Sequence, residues 1–239
     1  MLSLNHQKLI RKLRLKKHRW REKLFIAEGE KVIMDIANSG LSPKILTGTR
    51  AVDGREVVPI NPKLLRELSQ QHEPDGLLAV FPFPEIALPE EPKRILVLDG
   101  VADPGNVGTL QRTAEWFGYE LILHLPGTAD VYNAKTVQSS MGSVARVKTE
   151  HITPAEVPER LAGYDIRVAD MQGTPLPKGR ETTADAKVAL VLGSESHGPG
   201  EIWGDIATFY TIPRPAQSPI DSLNVAISGG IFMQAWRGN

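Results

Sequence analysis

The 239-residue sequence contains no cysteine. Disulfides and a cysteine-based zinc site are therefore excluded, and the composition fits a reducing compartment. There is also no apolar run long enough to span a bilayer. The first residues are polar and basic, without the apolar core of a secretory signal. These absences lead to the expectation of a soluble cytoplasmic protein. His124, His151 and His197 show no metal-ligand spacing, so no metal is expected. Net charge is absent too, with 28 Lys and Arg against 28 Asp and Glu. That balance hides an asymmetry. Lys8, Arg11, Lys12, Arg14, Lys16, Lys17, Arg19, Arg21 and Lys23 crowd the start of the chain, where Glu22 is the only acid. Such a segment suits a polyanion, because each phosphate it neutralises releases condensed counterions. A solvated basic helix is the plainer reading. An Arg-rich transit peptide is a third, opposed by scarce serine and by continuity with the motif that follows.

What is present is a hydrophobic content of 41%, enough for a packed core. Residues 23–30 read as a strand ending in a turn, and 31–39 have helical spacing that stops at Gly40. Short strands follow at 44–48 and 56–60. Asn61 caps a helix through Leu64, Leu65 and Leu68, and a further strand runs from Gly76. Residues 82–92 carry four prolines and three glutamates with little periodicity and read as a stiff linker. Beyond it, strands are expected at 95–98, 120–124, 146–149, 167–170, 188–192 and 209–212. Helices are expected at 107–117, 135–144, 155–162 and 222–236. Near-continuous apolar strands alternating with helices predict an α/β domain with a parallel sheet covered on both faces. The organisation expected is residues 1–86, a linker at 87–93, and a second domain at 94–239.

Three stretches in the second half carry polar groups at strand-to-helix turns. Asp103-Pro-Gly-Asn-Val-Gly places Asn106, Gly108 and Arg112 after the strand at 95–98. Leu192-Gly-Ser-Glu-Ser-His-Gly ends a buried strand in Gly193 and Glu195. The third runs from a strand at 209–212 through a loop stiffened by Pro213, Pro215 and Pro219, which also removes three backbone donors. It continues into Ser222-Leu-Asn and a helix in which Ser222 stands as N-cap. Gly229 and Gly230 are poor helix formers, so close packing against another backbone is expected there.

In this order the three stretches resemble the signature motifs of the SpoU (TrmH-like) branch of the SPOUT RNA 2′-O-ribose methyltransferases. The resemblance implies a catalytic domain whose C-terminal segment passes through a loop as a deep trefoil knot. It implies S-adenosylmethionine as methyl donor and no metal. It also implies a homodimer. Arg112, Asn106, Glu195, Ser222 and Asn224 match the catalytic positions, and backbone at Leu192, Gly193, Ile212 and Leu223 would hold the donor. The family assigns Arg112 to activation of the 2′-hydroxyl. An arginine keeps its proton, so anchoring phosphate and stabilising the developing alkoxide is the easier role.

The first eighty-six residues resemble the L30e-like RNA-binding domain found ahead of many SpoU catalytic domains, through the basic stretch and Phe25-Ile-Ala-Glu-Gly-Glu. Lys16, Lys17, Arg19, Arg21 and Glu28 are the expected RNA contacts, although Glu28 also reads as a turn-shaping residue. Such a domain favours ribosomal RNA over transfer RNA as substrate. A non-catalytic RNA-binding protein with this fold is the alternative from another class. A dinucleotide-binding turn at 103–108 lacks the G-x-G-x-x-G spacing.

Overall fold

The computed structural model describes residues 1–52, 54–177, 183 and 185–237. Two compact units form, one from Met1–Ile86 with Asp130–Arg146, the other from Ala87–Ala129 with Val147–Asn239.

The first unit opens with two short helices, α1 (Leu4–Lys12) and α2 (Lys16–Glu22). Ser3 caps α1 by accepting from His6 N. The apolar stripe in the basic segment is real but narrow: Ile10 and Leu13 are buried while Leu15 is exposed. Then follow β1 (Leu24–Glu28), α3 (Glu30–Asn38), β2 (Ile45–Gly48), β3 (Val58–Pro59), α4 (Pro62–Leu68) and β4 (Leu77–Pro82). Gly29 takes φ +82° at the β1–α3 turn and Gly40 takes φ +93° beyond α3, a conformation that favours glycine. Asn61 caps α4 by accepting from Leu64 N at 2.8 Å, as expected. The sheet order is β1-β4-β2-β3, antiparallel except for β2 with β3.

The second unit contains β5 (Arg94–Asp99), α5 (Pro104–Trp116) and β6 (Leu121–His124). After β6 the chain makes α6 (Ala134–Ser140), which belongs by packing to the first unit. It returns with β7 (Lys148–His151), α7 (Val157–Arg160), β8 (Asp165–Pro175), β9 (Val188–Gly193), β10 (Thr208–Thr211) and α8 (Val225–Ala235). All six strands are parallel, in the order β10-β8-β9-β5-β6-β7. Strands β5 and β9 are buried along nearly their whole length, as their apolar runs at 95–98 and 188–192 require. One face packs with α5 and α8 through Leu96, Leu110, Leu192, Phe232 and Trp236; the other collects Val97, Val191, Val168 and Trp203.

Two helix starts differ from expectation by three residues. Helix α5 begins at Pro104, not 107, because Asp103 accepts from Asn106 N and Pro104 is preset for a first turn. Helix α8 begins at Val225, and its N-cap is Asn224 rather than Ser222. Residues 130–146, expected within the second alternation, complete the core of the first unit. There Val131, Tyr132, Val137 and Val144 pack with Phe25, Ile33 and Phe81.

Candidate active site

Strands β5 and β9 lie side by side, with Asp99 opposite Gly193 at their carboxyl ends. In open parallel sheets that edge is where ligands bind. Asp99 Oδ2 accepts from Gly200 N and from Trp203 Nε1, both at 2.8 Å, and so ties down the loop that leaves β9. Ser194 and Gly198 bridge each other through backbone bonds of 3.1 and 2.8 Å. A Cβ at Gly193 would lie 2.2 Å from Pro199 N, so only glycine lets the loop fold back this closely. The result is a fixed turn that presents Glu195.

Three side chains from three distant stretches then meet. Asn106 Nδ2 donates to Glu195 Oε1 at 2.8 Å. Asn224 Nδ2 donates to Asn106 Oδ1 at 3.1 Å and lies 3.4 Å from Glu195 Oε1. The Oδ1 of Asn224 faces the other way, accepting from Ala226 N and Ile227 N as the cap of α8. Each amide is thereby oriented by the hydrogen bonds it makes, so the cluster is preorganised before any ligand arrives.

Two adjoining cavities open beside it, of about 480 and 670 Å³. Ile212 lines the first, Leu192 and Gly193 line the second, and Leu223 and Ser222 line both. Asp170, just past the stretch of β8 that pairs with β9, also faces both, and Phe232 adds an aromatic wall to the first. Apolar walls with the Asp170 and Asp221 carboxylates, the Arg214 side chain and serine hydroxyls suit an amphiphilic ligand that carries a flat ring at one end and charge at the other. Among the described residues no group of three His, Cys, Asp or Glu side chains could hold a metal ion.

Arg112 is on the exposed face of α5 with Thr109 and Trp116, and no hydrogen bond joins it to the Asn106–Glu195–Asn224 cluster. Glu195 orients Asn106, not Arg112. In the first unit, Lys16, Lys17 and Arg21 are exposed, Arg21 pairing with Glu22 at the surface. Arg19 is a correction. It is 4% exposed and four of its five N–H donors go to Asp130 Oδ2, Leu13 O and Arg14 O, so its guanidinium faces the interior rather than a phosphate. Glu28 is also 4% exposed, accepting from the Ser69 hydroxyl and Gln70 N, and burial pushes its carboxyl above the usual range. Its charge is thus no part of the solvated basic surface.

Residues 93–234 match the model of the SpoU rRNA methylase family. The chain belongs to that family. Residues 5–79 match the MRM3-like substrate binding domain. Over 238 residues this SpoU chain is 28% identical to the 23S rRNA (guanosine(2553)-2′-O)-methyltransferase RlmP of Bacillus subtilis, covering 95% of this chain and 94% of that protein. Among solved structures it is similar to a candidate RNA methyltransferase of the TrmH family from Porphyromonas gingivalis. That match is 36% identical, with a TM-score of 0.83, and covers 99% and 98% of the two chains. It is also similar to an AdoMet-bound rRNA methyltransferase from Sinorhizobium meliloti, at 28% identity and a TM-score of 0.80 over 98% and 95%.

Sequence reasoning missed several residues that build this SpoU site. Asp99 fixes the Glu195 loop, Asp103 sets the start of α5, and Arg214 donates to Ile220 O to hold the proline-rich loop beside the first cavity. Only Asp103 carried a legible signal, an Asp-Pro pair just before a helical pattern.

Proposed function

We propose that this SpoU chain transfers the methyl group of S-adenosylmethionine to a ribose 2′-hydroxyl of ribosomal RNA. The observation that carries it is the Asn106–Glu195–Asn224 cluster, assembled from three ordered motifs beside a divided cavity. The relatives named for rRNA 2′-O-methylation and for bound AdoMet support the same reading.

In this reading Leu192, Gly193, Ile212 and Leu223 hold the donor, with Asp170 facing its charged end. When bound, the donor supplies an electrophilic methyl group. The chain's own residues do the rest. Asn106, Ser222 and Asn224 position the ribose through hydrogen bonds, and Glu195 fixes the Asn106 amide. Arg112 grips the phosphate beside the target ribose and stabilises the charge that grows on the attacking oxygen as its proton passes to solvent water. Lys16, Lys17 and Arg21 supply affinity for RNA without choosing sequence.

The first unit, residues 1–86 with 130–146, is assigned to substrate RNA, 87–93 to the linker and the rest of 94–239 to catalysis, in the cytoplasm. A homodimer is part of the proposal. A shallow groove between α5 and α8, lined by Thr113, Ile227, Gly230 and Ile231, leaves Ile227 57% exposed and suits a second copy. The trefoil knot at the C-terminal segment is proposed with it.

The test is transfer from isotopically labelled S-adenosylmethionine to total RNA, separated into ribosomal and transfer species, with Arg112→Ala alongside. Label in a ribose of ribosomal RNA, lost in the variant, is expected. Label in transfer RNA alone overturns the substrate, and absence of donor binding overturns the reaction.

A further inference from the structure

The first unit carries a cavity of its own, about 310 Å³, at the small end of the roughly 300–1,000 Å³ range of ligand sites. Three parts of the chain line it. Glu28 ends β1, Gln70 and Gln71 follow α4, and Asn133, Lys135 and Gln138 come from α6 and its cap. Gln71 Nε2 donates to Gln138 Oε1 at 3.1 Å, closing one wall.

Glu28 is the unusual member. The residue is 4% exposed, yet the hydrogen-bond partners of its carboxylate are a hydroxyl and a backbone amide rather than a cation. Each oxygen accepts one bond, whereas a carboxylate has about four lone-pair sites. One acceptor position therefore remains on each oxygen. A buried carboxylate left partly unsatisfied is costly. A ligand that brings two adjacent donors removes that cost. The elevated carboxyl pKa is consistent with a group waiting for such a partner.

Among the RNA bases, guanine alone offers two adjacent donors on its Watson–Crick edge, N1–H and the N2 amine. Adenine, cytosine and uracil each offer one. Sequence-specific recognition of RNA works largely through unstacked bases read on these edges. We infer that this cavity takes one unstacked guanine of single-stranded RNA, with its N1–H and N2 edge on Glu28. The amides of Gln70 and Gln138 complement the remaining polar atoms of the base, and Lys135 supplies positive charge for the adjoining phosphate. The inference rests on the reading of the chain as an RNA methyltransferase and deepens it, because the pocket selects substrate sequence in a unit that does not hold the transferring cluster.

The test uses the full chain and end-labelled single-stranded RNA pentamers UUGUU, UUIUU, UUAUU and UUUUU, measured by fluorescence anisotropy. UUGUU is expected to bind about tenfold tighter than UUAUU or UUUUU, the size of discrimination one bidentate contact gives. Inosine, which lacks the N2 amine, loses most of that advantage. Glu28→Gln exchanges an acceptor for a donor and erases the preference. Gln138→Ala, at an exposed position that leaves folding intact, weakens UUGUU several-fold and the others little. Equal affinity for all four pentamers overturns the pocket, as does a guanine preference that both variants keep. Methyl transfer is followed in parallel with the parent protein. Guanine preference without transfer overturns the methyltransferase reading alone, and transfer without guanine preference overturns the pocket alone.

Discussion

Asn224 and Asn106 share a hydrogen bond of 3.1 Å although 118 residues separate them, and the same Asn224 caps α8. One side chain thus both starts a helix and closes the candidate active site. The two duties use different atoms, Oδ1 for the cap and Nδ2 for the site, so they can be separated.

Asn224→Ala removes both and is expected to cost about 1 kcal/mol in the cap together with most methyl transfer. Asn224→Ser keeps a good cap but cannot donate from an amide. Thermal unfolding of the serine variant should stay near the parent while transfer to RNA stays lost. Restored transfer in the serine variant would sink the site role.

Gly229 and Gly230 separate in the same way. A Cβ at Gly229 would lie 2.5 Å from Leu110 Cδ2 and 2.7 Å from Leu192 Cδ1, both in buried side chains. The expected packing is therefore against side chains, not another backbone. Gly229→Ala should cost about 1–3 kcal/mol through overpacking. Gly230 meets only Thr113 Cγ2 at 3.7 Å, so Gly230→Ala should be neutral or gain up to about 1 kcal/mol of helix propensity. Denaturant midpoints of the two variants check the contrast.

Much of the site was legible because its parts are local. Asp103-Pro104, Gly193 and Asn224 each answer a nearby backbone need, and short-range chemistry is what sequence patterns report. Direction is not local. Arg19 stands in a basic run, and nothing in that run says that its guanidinium turns inward to Asp130, 111 residues away. Likewise Ser222 and Asn224 are both good caps. The choice falls to Asn224, whose amide also meets Asn106 and Glu195. The inclusion of residues 130–146 in the first unit was hidden for the same reason, since Tyr132 and Val137 are apolar residues that would suit either core.

The Arg19–Asp130 pair is nearly dry, with side chains 4% and 6% exposed and a 2.6 Å contact. Removing one partner leaves a buried charge alone. Asp130→Ala should therefore destabilise the chain by about 3–5 kcal/mol. Replacing both, as Arg19→Met with Asp130→Leu, should recover most of that loss. A double variant no more stable than Asp130→Ala would show that the hydrogen bonds of Arg19 to Leu13 O and Arg14 O matter more than the charge.

Glu28 gives a pH dependence of definite sign. Burial raises its carboxyl pKa against the opposing hydrogen bonds from Ser69 and Gln70 and the nearby Arg14. The folded state therefore holds the proton more tightly than the unfolded chain. Stability from this group is full below the ordinary glutamate range and is lost as pH rises through that range to the raised folded value. Glutamine resembles the protonated acid and carries no such dependence. The melting curves of parent and Glu28→Gln should lie close together near pH 4, and the parent should fall behind the variant as the solution approaches neutrality. Other carboxylates titrate alike in both proteins and cancel in the difference. If the gap runs the other way, with the parent gaining on the variant as pH rises, the ionised carboxylate is stabilised in the fold and burial does not dominate its titration.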